Sequence, residues 1–201
     1  MSNNSIREPK QKRSIEKKKK IIEVGFKLMC EKGYHNTNSV EIGKAAGVST
    51  GIIYNYFTDK KDIFISAIQD YANSLTAPMF EKISTLKEPI DLTDLLKQFI
   101  DIFIQSHYIS KSAHEEMMAM AHSDKDVAKL FYQFEIDTTN TLIELMKQKG
   151  ITPTNPREKV HISIGLIENL CHERVYHKHE SMDYMIMTDE VINLVISMLT
   201  N

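Results

Sequence analysis

The stretch Ala45–Phe64, AAGVSTGIIYNYFTDKKDIF, decides how this chain is read. It is too polar for a core helix and too apolar for a linker. Gly47 ends one helix, Val48 and Ser49 make a turn, a short helix is expected from Thr50 to Phe57, and Asp59 opens a long one. Two short helices split by such a turn and followed by a long helix form a helix-turn-helix pattern. On the short helix Ile53 and Phe57 lie four apart and share a face, which can turn inward against Phe26, Ile42 and Ala46. Thr50 and Tyr54 share another face, beside Gly51 and Asn55, and that face turns outward.

The outward face suits duplex DNA. It offers hydroxyls, an amide and a bare backbone at Gly51, and it holds no acid. Thr and Asn hydrogen-bond base edges or phosphates, and Ile52 can touch a thymine methyl. The start of the helix presents free N–H groups to phosphate. Tyr56 and Lys60 fall where one flanking phosphate strand would run, with Thr37 and Lys44 on the opposite side.

Charge supports this reading. Residues 1–61 carry a net charge of +7 and residues 62–201 a net charge of −9, which together give the −2 of the whole chain. A basic front and an acidic back direct the front toward a polyanion. Residues 1–13 are expected to form a flexible basic arm, and the lysine quartet Lys17–Lys20 sits in the first turns of a helix from about Ser14 to Lys32, closed by Gly33. The second helix starts at Asn38, with Glu41 placed for a capping box.

The segment Lys18–Ile68 resembles the N-terminal DNA-binding domain of the TetR family of transcriptional regulators. The ordered string AGVSxGxxYxYFxxK, from Ala46 to Lys60, carries the resemblance, together with Phe26, Gly33–Tyr34, Thr37 and Ile42. Gly43 stands where the family usually has alanine, and Asn38 where it has Thr or Ser. The resemblance implies a homodimeric regulator, usually a repressor released by a ligand. It places Thr50, Gly51 and Tyr54 at bases, and Thr37, Ile52, Asn55, Tyr56 and Lys60 at phosphate or groove wall. Because the short helix lacks Arg and Lys, an arginine–guanine fork is not expected.

Beyond Pro89 the texture changes to long amphipathic helices. They are expected from Asp91 to about Tyr108, over Ser112–Ser123, from Asp124 to Gly150, from Asn155 to about His179, and from Asp183 to Leu199. The chain is therefore expected to be all-α with about nine helices. Its divisions are the arm at 1–13, the helix-turn-helix domain at 14–60, and a larger C-terminal effector-binding and dimerisation domain at 61–201. By the family pattern the last two helices form a dimer interface through Ile164, Ile167, Leu170, Cys171, Val175, Ile192, Val195, Ile196 and Leu199. The same stripes also read as monomer core.

Eleven methionines are many for this length. Met117, Met118 and Met120, with Phe99, Phe103, Phe131 and Phe134, are candidate walls for an apolar or cationic small-molecule effector, because flexible thioethers suit variable apolar ligands. Cys171, His172, His177 and His179 raise a metal-responsive alternative, although no two-plus-two Cys/His spacing is present. A further alternative is a helical interaction protein without DNA binding. There is no Gly-rich phosphate loop, HExxH or GxSxG, so neither an enzyme nor a cofactor is expected. Two cysteines, no secretory signal and no long apolar run fit a cytoplasmic protein away from the membrane.

Overall fold

The computed structural model describes residue 9 and residues 11–87, 89–109 and 111–201. Among these residues the chain folds as nine α-helices and no strand: α1 (Lys12–Lys32), α2 (Ser39–Ala46), α3 (Thr50–Ile53), α4 (Lys60–Thr85), α5 (Leu92–Ile109), α6 (Lys111–Ser123), α7 (Lys125–Gln148), α8 (Pro156–Tyr176) and α9 (Tyr184–Thr200). No helix among them is long and apolar enough to cross a membrane. Most of the expected arm, residues 1–8 and 10, lies outside the described residues. Lys12 and Arg13 already belong to α1, whose first turn is closed by the Gln11 carbonyl accepting from Ser14 N at 2.8 Å and Ile15 N at 3.0 Å.

Two compact units divide the chain, Met1–Ala72 with Ser112–Ala128 and Asn73–Lys111 with Lys129–Asn201. The expected boundary after residue 60 coincides with the start of α4. By compactness the first unit also takes the first half of α4 and nearly all of α6.

In the first unit α1 packs on α2, and α2 on α3. Ile21, Met29, Ile42, Ile53, Ile63 and Phe64 are fully buried there. Asn38 caps α2 as expected, its side-chain oxygen accepting from Val40 N and Glu41 N, both at 3.0 Å. The reciprocal half of a capping box is missing, because the Glu41 carboxylate turns to Lys32 at 3.3 Å. Thr58, Asp59 and Asp62 start α4: Asp59 accepts from Asp62 N at 3.0 Å, and Asp62 accepts from Thr58 N at 2.8 Å.

Three expected boundaries move. Regular α-helix in α3 stops at Ile53 rather than Phe57, because Asn55 N and Tyr56 N bond three residues back, to Ile52 O and Ile53 O, and tighten the turn. A proline within a helical pattern predicts an end or a kink at that point, yet helix α4 runs through Pro78. The proline removes one ladder bond, while buried Thr76, Met79 and Ile83 hold the helix on both sides of that point. Helix α8 ends at Tyr176, short of His179, and Asn155 precedes it with φ 49° without capping it. The Tyr184 hydroxyl ties the following turn, accepting from His179 N at 3.0 Å and donating to Glu173 at 2.8 Å.

The core of the second unit joins α5, α8 and α9 through Leu96, Ile100, Leu170, Cys171, Ile192 and Val195. Ile167, Val175, Ile196 and Leu199 pack against that cluster. Of the stripes read as dimer interface or monomer core, Leu170, Cys171, Ile192 and Val195 are therefore monomer core. The outward apolar side chains of α8 and α9 are different ones: Ile162 (51% exposed), Met185 (77%), Ile186 (61%) and Leu194 (54%). A second cluster joins Met79 and Ile83 of α4 to Leu95 and Phe99 of α5.

Gly43 has a structural cause. A Cβ there would lie 2.9 Å from the Val48 carbonyl oxygen, where the backbone doubles back after α2. Helix propensity favours alanine over glycine by about 1 kcal/mol, but forced overpacking costs about 1–3 kcal/mol, and a backbone oxygen has little room to retreat. Gly43→Ala is expected to lower the stability of the chain by about 1 kcal/mol or more, read from urea unfolding midpoints. A gain in stability would show that the turn after α2 can open.

Candidate nucleic-acid interface and effector cavity

The outward face of α3 is built from beneath. Ile53 is 0% and Phe57 2% exposed, so the short helix is anchored by these two side chains. Ser49 O accepts from Ile52 N at 2.9 Å, and Gly47, in the left-handed region at φ 70°, ends α2 and aims the chain into the turn. As a result Gly51, Tyr54 and Asn55 are exposed, with Thr50 and Ile52 half-buried beside them. Tyr54 retains 46% of its surface. Lys44, on α2, is exposed as well.

Gly51 differs from the other glycines of this unit. A Cβ at Gly25 would lie 2.8 Å from Ile63, and one at Gly43 would meet backbone. Gly33 and Gly47 have positive φ. At Gly51 the φ is ordinary, and the nearest atom a Cβ would meet is Ser49 Oγ at 3.9 Å. Nothing in the fold requires glycine at this position.

Two expected contact residues are engaged within the fold. Thr37 is 2% exposed, and its hydroxyl donates to Gly33 O at 3.1 Å, so it closes the α1–α2 connection instead of facing out. Lys60 donates to Tyr34 O at 2.6 Å and Thr37 O at 2.8 Å, with His35 O at 3.4 Å, and its ammonium lies 4.4 Å from the centre of the Tyr34 ring. Its three N–H groups are spent on that loop. Tyr56 is half-buried, and its hydroxyl is 2.7 Å from Ser14 Oγ in the first turn of α1. Lys61 is neutralised by Asp124 at 3.3 Å and by Asp126, and these bonds raise its pKa. The Glu116 carboxylate of α6 accepts from Tyr34 N at 2.5 Å. This clasp on the α1–α2 loop joins residues 82 apart in sequence, which no local pattern signals.

Among the described residues, Lys12, Arg13, Lys17, Lys20 and Lys44 form no ion pair. These, and not Lys60 or Lys61, are the cations available to an external anion.

The second unit encloses a cavity of about 120 Å³ between α4, α5, α7, α8 and α9. Phe99 and Phe103 line it, as the sequence suggests, and so do Met79 and Met146. The other expected walls lie elsewhere. Met117 and Met120 are buried on α6, in the first unit, Met118 is half-buried beside them, and Phe131 and Phe134 are half-buried on α7 away from the lining. Nor does the Cys171/His cluster converge. Cys171 faces Ile100 O in the core, where burial pushes its thiol up to about 12, His172 meets Tyr176 edge to face with the His177 ring 5.3 Å away, and His177 and His179 are exposed. Among the described residues no group of three or more His, Cys, Asp or Glu side chains is placed to hold a metal.

Residues 21–67 match the family model described as "Bacterial regulatory proteins, tetR family". The chain is 27% identical over 193 residues to the fatty acid metabolism regulator protein of Bacillus subtilis (strain 168), covering 92% of this chain and 91% of that one. It is 34% identical over 76 residues to the HTH-type transcriptional regulator HbdR of Aromatoleum sp. (strain CIB), a match spanning 38% of this chain and 33% of that protein. Among solved structures, the fatty acid degradation regulator FadR from Bacillus halodurans superposes with a TM-score of 0.66 at 22% identity, covering 94% of this chain and 96% of that one. The fold is thus that of TetR-type regulators, and the matched relatives are transcriptional regulators, not enzymes.

Lys44 and Lys60 should separate cleanly. With nonspecific duplex DNA, Lys44→Ala is expected to flatten the slope of log K against log salt by about 1. Lys60→Met is expected to leave that slope in place and to destabilise the fold by on the order of 2 kcal/mol, through the carbonyls it abandons. A flattened slope for Lys60→Met would return its ammonium to the phosphates.

Proposed function

We propose that this chain, a transcriptional regulator of the TetR family by its N-terminal module and its fold, is a cytoplasmic homodimeric repressor that a small apolar effector releases from operator DNA. The observation that carries the DNA reading is Gly51: an exposed glycine that the fold does not need, next to exposed Tyr54 and Asn55 and half-buried Thr50. Glycine on an outward helix surface permits close approach of a second molecule's backbone. Tyr54, Thr50 and Asn55 would then read base edges, Ile52 a methyl group, and Lys44 with the α1 cations the phosphates.

The second unit would bind the effector and dimerise. Its cavity is almost wholly apolar, and the relative of nearly equal length is named for fatty acid metabolism, which together favour an apolar effector over a cationic one. Helix α4 is covalently part of both units, so an effector that repositions its second half would change the spacing of two recognition helices away from the ~34–36 Å between successive major-groove half-sites. Effector and operator would then oppose each other reciprocally. The outward side chains Ile162, Ile186 and Leu194 of α8 and α9 supply an apolar face for a second copy.

Two experiments test this reading. Gly51→Ala should keep or slightly raise stability, by up to ~1 kcal/mol, while weakening binding to duplexes selected from a random pool by roughly tenfold or more, the scale of one base contact. Unchanged affinity would remove the α3 face from the interface. Leu194→Glu should convert the dimer to a folded monomer in sedimentation and abolish binding to a two-half-site duplex; a variant that stays dimeric would place the interface elsewhere.

A further inference from the structure

We propose that Val40, at the start of α2, is a second base-reading residue, which recognises a thymine by its C5-methyl group. This rests on the reading of the α3 face as the DNA interface and adds to it a specificity contact from another helix.

Local stability does not account for a valine here. Val40 is the second residue of α2, just behind the Asn38 cap. Among the described residues of the first unit it is the most exposed large apolar side chain, at 65%. Exposed helix positions favour alanine and straight-chain residues over β-branched ones, and the first turn of a helix favours acids. The capping bond from Val40 N to Asn38 Oδ1 at 3.0 Å is made by the backbone and asks nothing of the side chain.

A single exposed apolar residue is ordinary on a protein surface, but this one has a particular place. Val40, Gly43 and Lys44 fall at i, i+3 and i+4 and form one strip of α2. Gly43 fixes where that strip faces, because a Cβ there would lie 3.5 Å from Thr50 N at the start of α3. Val40 sits three residues back along the strip, about 4.5 Å at 1.5 Å per residue. The major groove is about 12 Å wide, so the starts of α2 and α3 can face one groove together. Lys44, on the same strip, is exposed. No acid interrupts the strip: Glu41 points about 100° round the helix, and Lys32 holds its carboxylate at 3.3 Å.

Chemistry then selects the target. Valine has no hydrogen-bonding group for a phosphate oxygen or a base-edge donor or acceptor. The thymine C5-methyl is the apolar group that the major groove presents. An exposed, branched apolar side chain beside the start of α3 matches that group and no polar part of the duplex.

The test uses the purified full-length protein and a duplex that the wild type has selected from a random pool. Each thymine is replaced in turn by deoxyuridine, which removes the C5-methyl and keeps every hydrogen-bonding edge, and affinity is read by competition. For the wild type, one thymine in each half-site should lose about fourfold on this change, the scale of one buried methyl group. Val40→Ala should bind the thymine and uracil forms of that site equally, near the wild-type affinity for the uracil form, while its urea unfolding midpoint stays the same or rises. Val40→Thr, which keeps one γ-methyl, should retain a preference for thymine. Three results overturn the assignment: a wild type indifferent to every replacement, a thymine preference that survives Val40→Ala undiminished at every position, or an equal loss by Val40→Ala on both forms, which would place the valine against sugar. In each of these cases weakened binding by Gly51→Ala leaves the DNA interface standing, whereas unchanged binding of Gly51→Ala to the same duplex removes that interface itself.

Discussion

Burial of Ile53 and Phe57 is the constraint on which the outward face of α3 depends. A helix of four residues has no stability of its own, since its nucleus is never repaid by propagation. Two fully buried side chains contribute about 1.5–3 kcal/mol each, and they fix which way the turn faces. Once Ile53 and Phe57 point inward, the spacing of the helix leaves Gly51, Tyr54 and Asn55 pointing out. The tightened bonds at Asn55 and Tyr56 keep Phe57 beneath the turn although regular helix has ended.

The glycines of the first unit separate structural demand from functional opportunity. At Gly47 the backbone conformation requires glycine, at Gly25 a crossing isoleucine does, and at Gly43 a returning carbonyl does. Gly51 has neither a conformational nor a steric reason inside the chain. Its outward position is the observation on which the proposed DNA interface rests.

Periodicity exposed nearly all of the fold in advance. The helix count, the Asn38 cap, the Gly33, Gly47 and Gly150 stops and the inward pair Ile53/Phe57 all follow from local spacing and turn chemistry. What stayed hidden is set by distant contacts. Thr37 and Lys60 read as surface residues, because nothing local shows that a loop carbonyl waits for each of them. Dimer interface and monomer core both stayed open for the stripes of α8 and α9 for a related reason: apolar spacing identifies a buried face but not what buries it, and here α5 covers its most buried part. The methionines of α6 looked like cavity walls because composition carries no address. The cavity draws its methionines from α4 and α7 instead.

Charge illustrates the same gap between inventory and placement. The front of the chain carries a net +7, yet its lysines do three different kinds of work. Lys60 is an internal clamp on the α1–α2 loop, and Lys61 is cancelled by two aspartates from beyond residue 120. Lys32 is matched by Glu41. The cations left to an external anion sit at the start of α1 and on α2, both ahead of the exposed face of α3 in sequence. A polyanion would therefore meet fewer charges than a count predicts, but meet them next to the side chains that can read it. The electrostatic attraction and the hydrogen-bonding face belong to one unit because the residues that would blur them, Lys60 and Lys61, are bound to carbonyls and carboxylates within it.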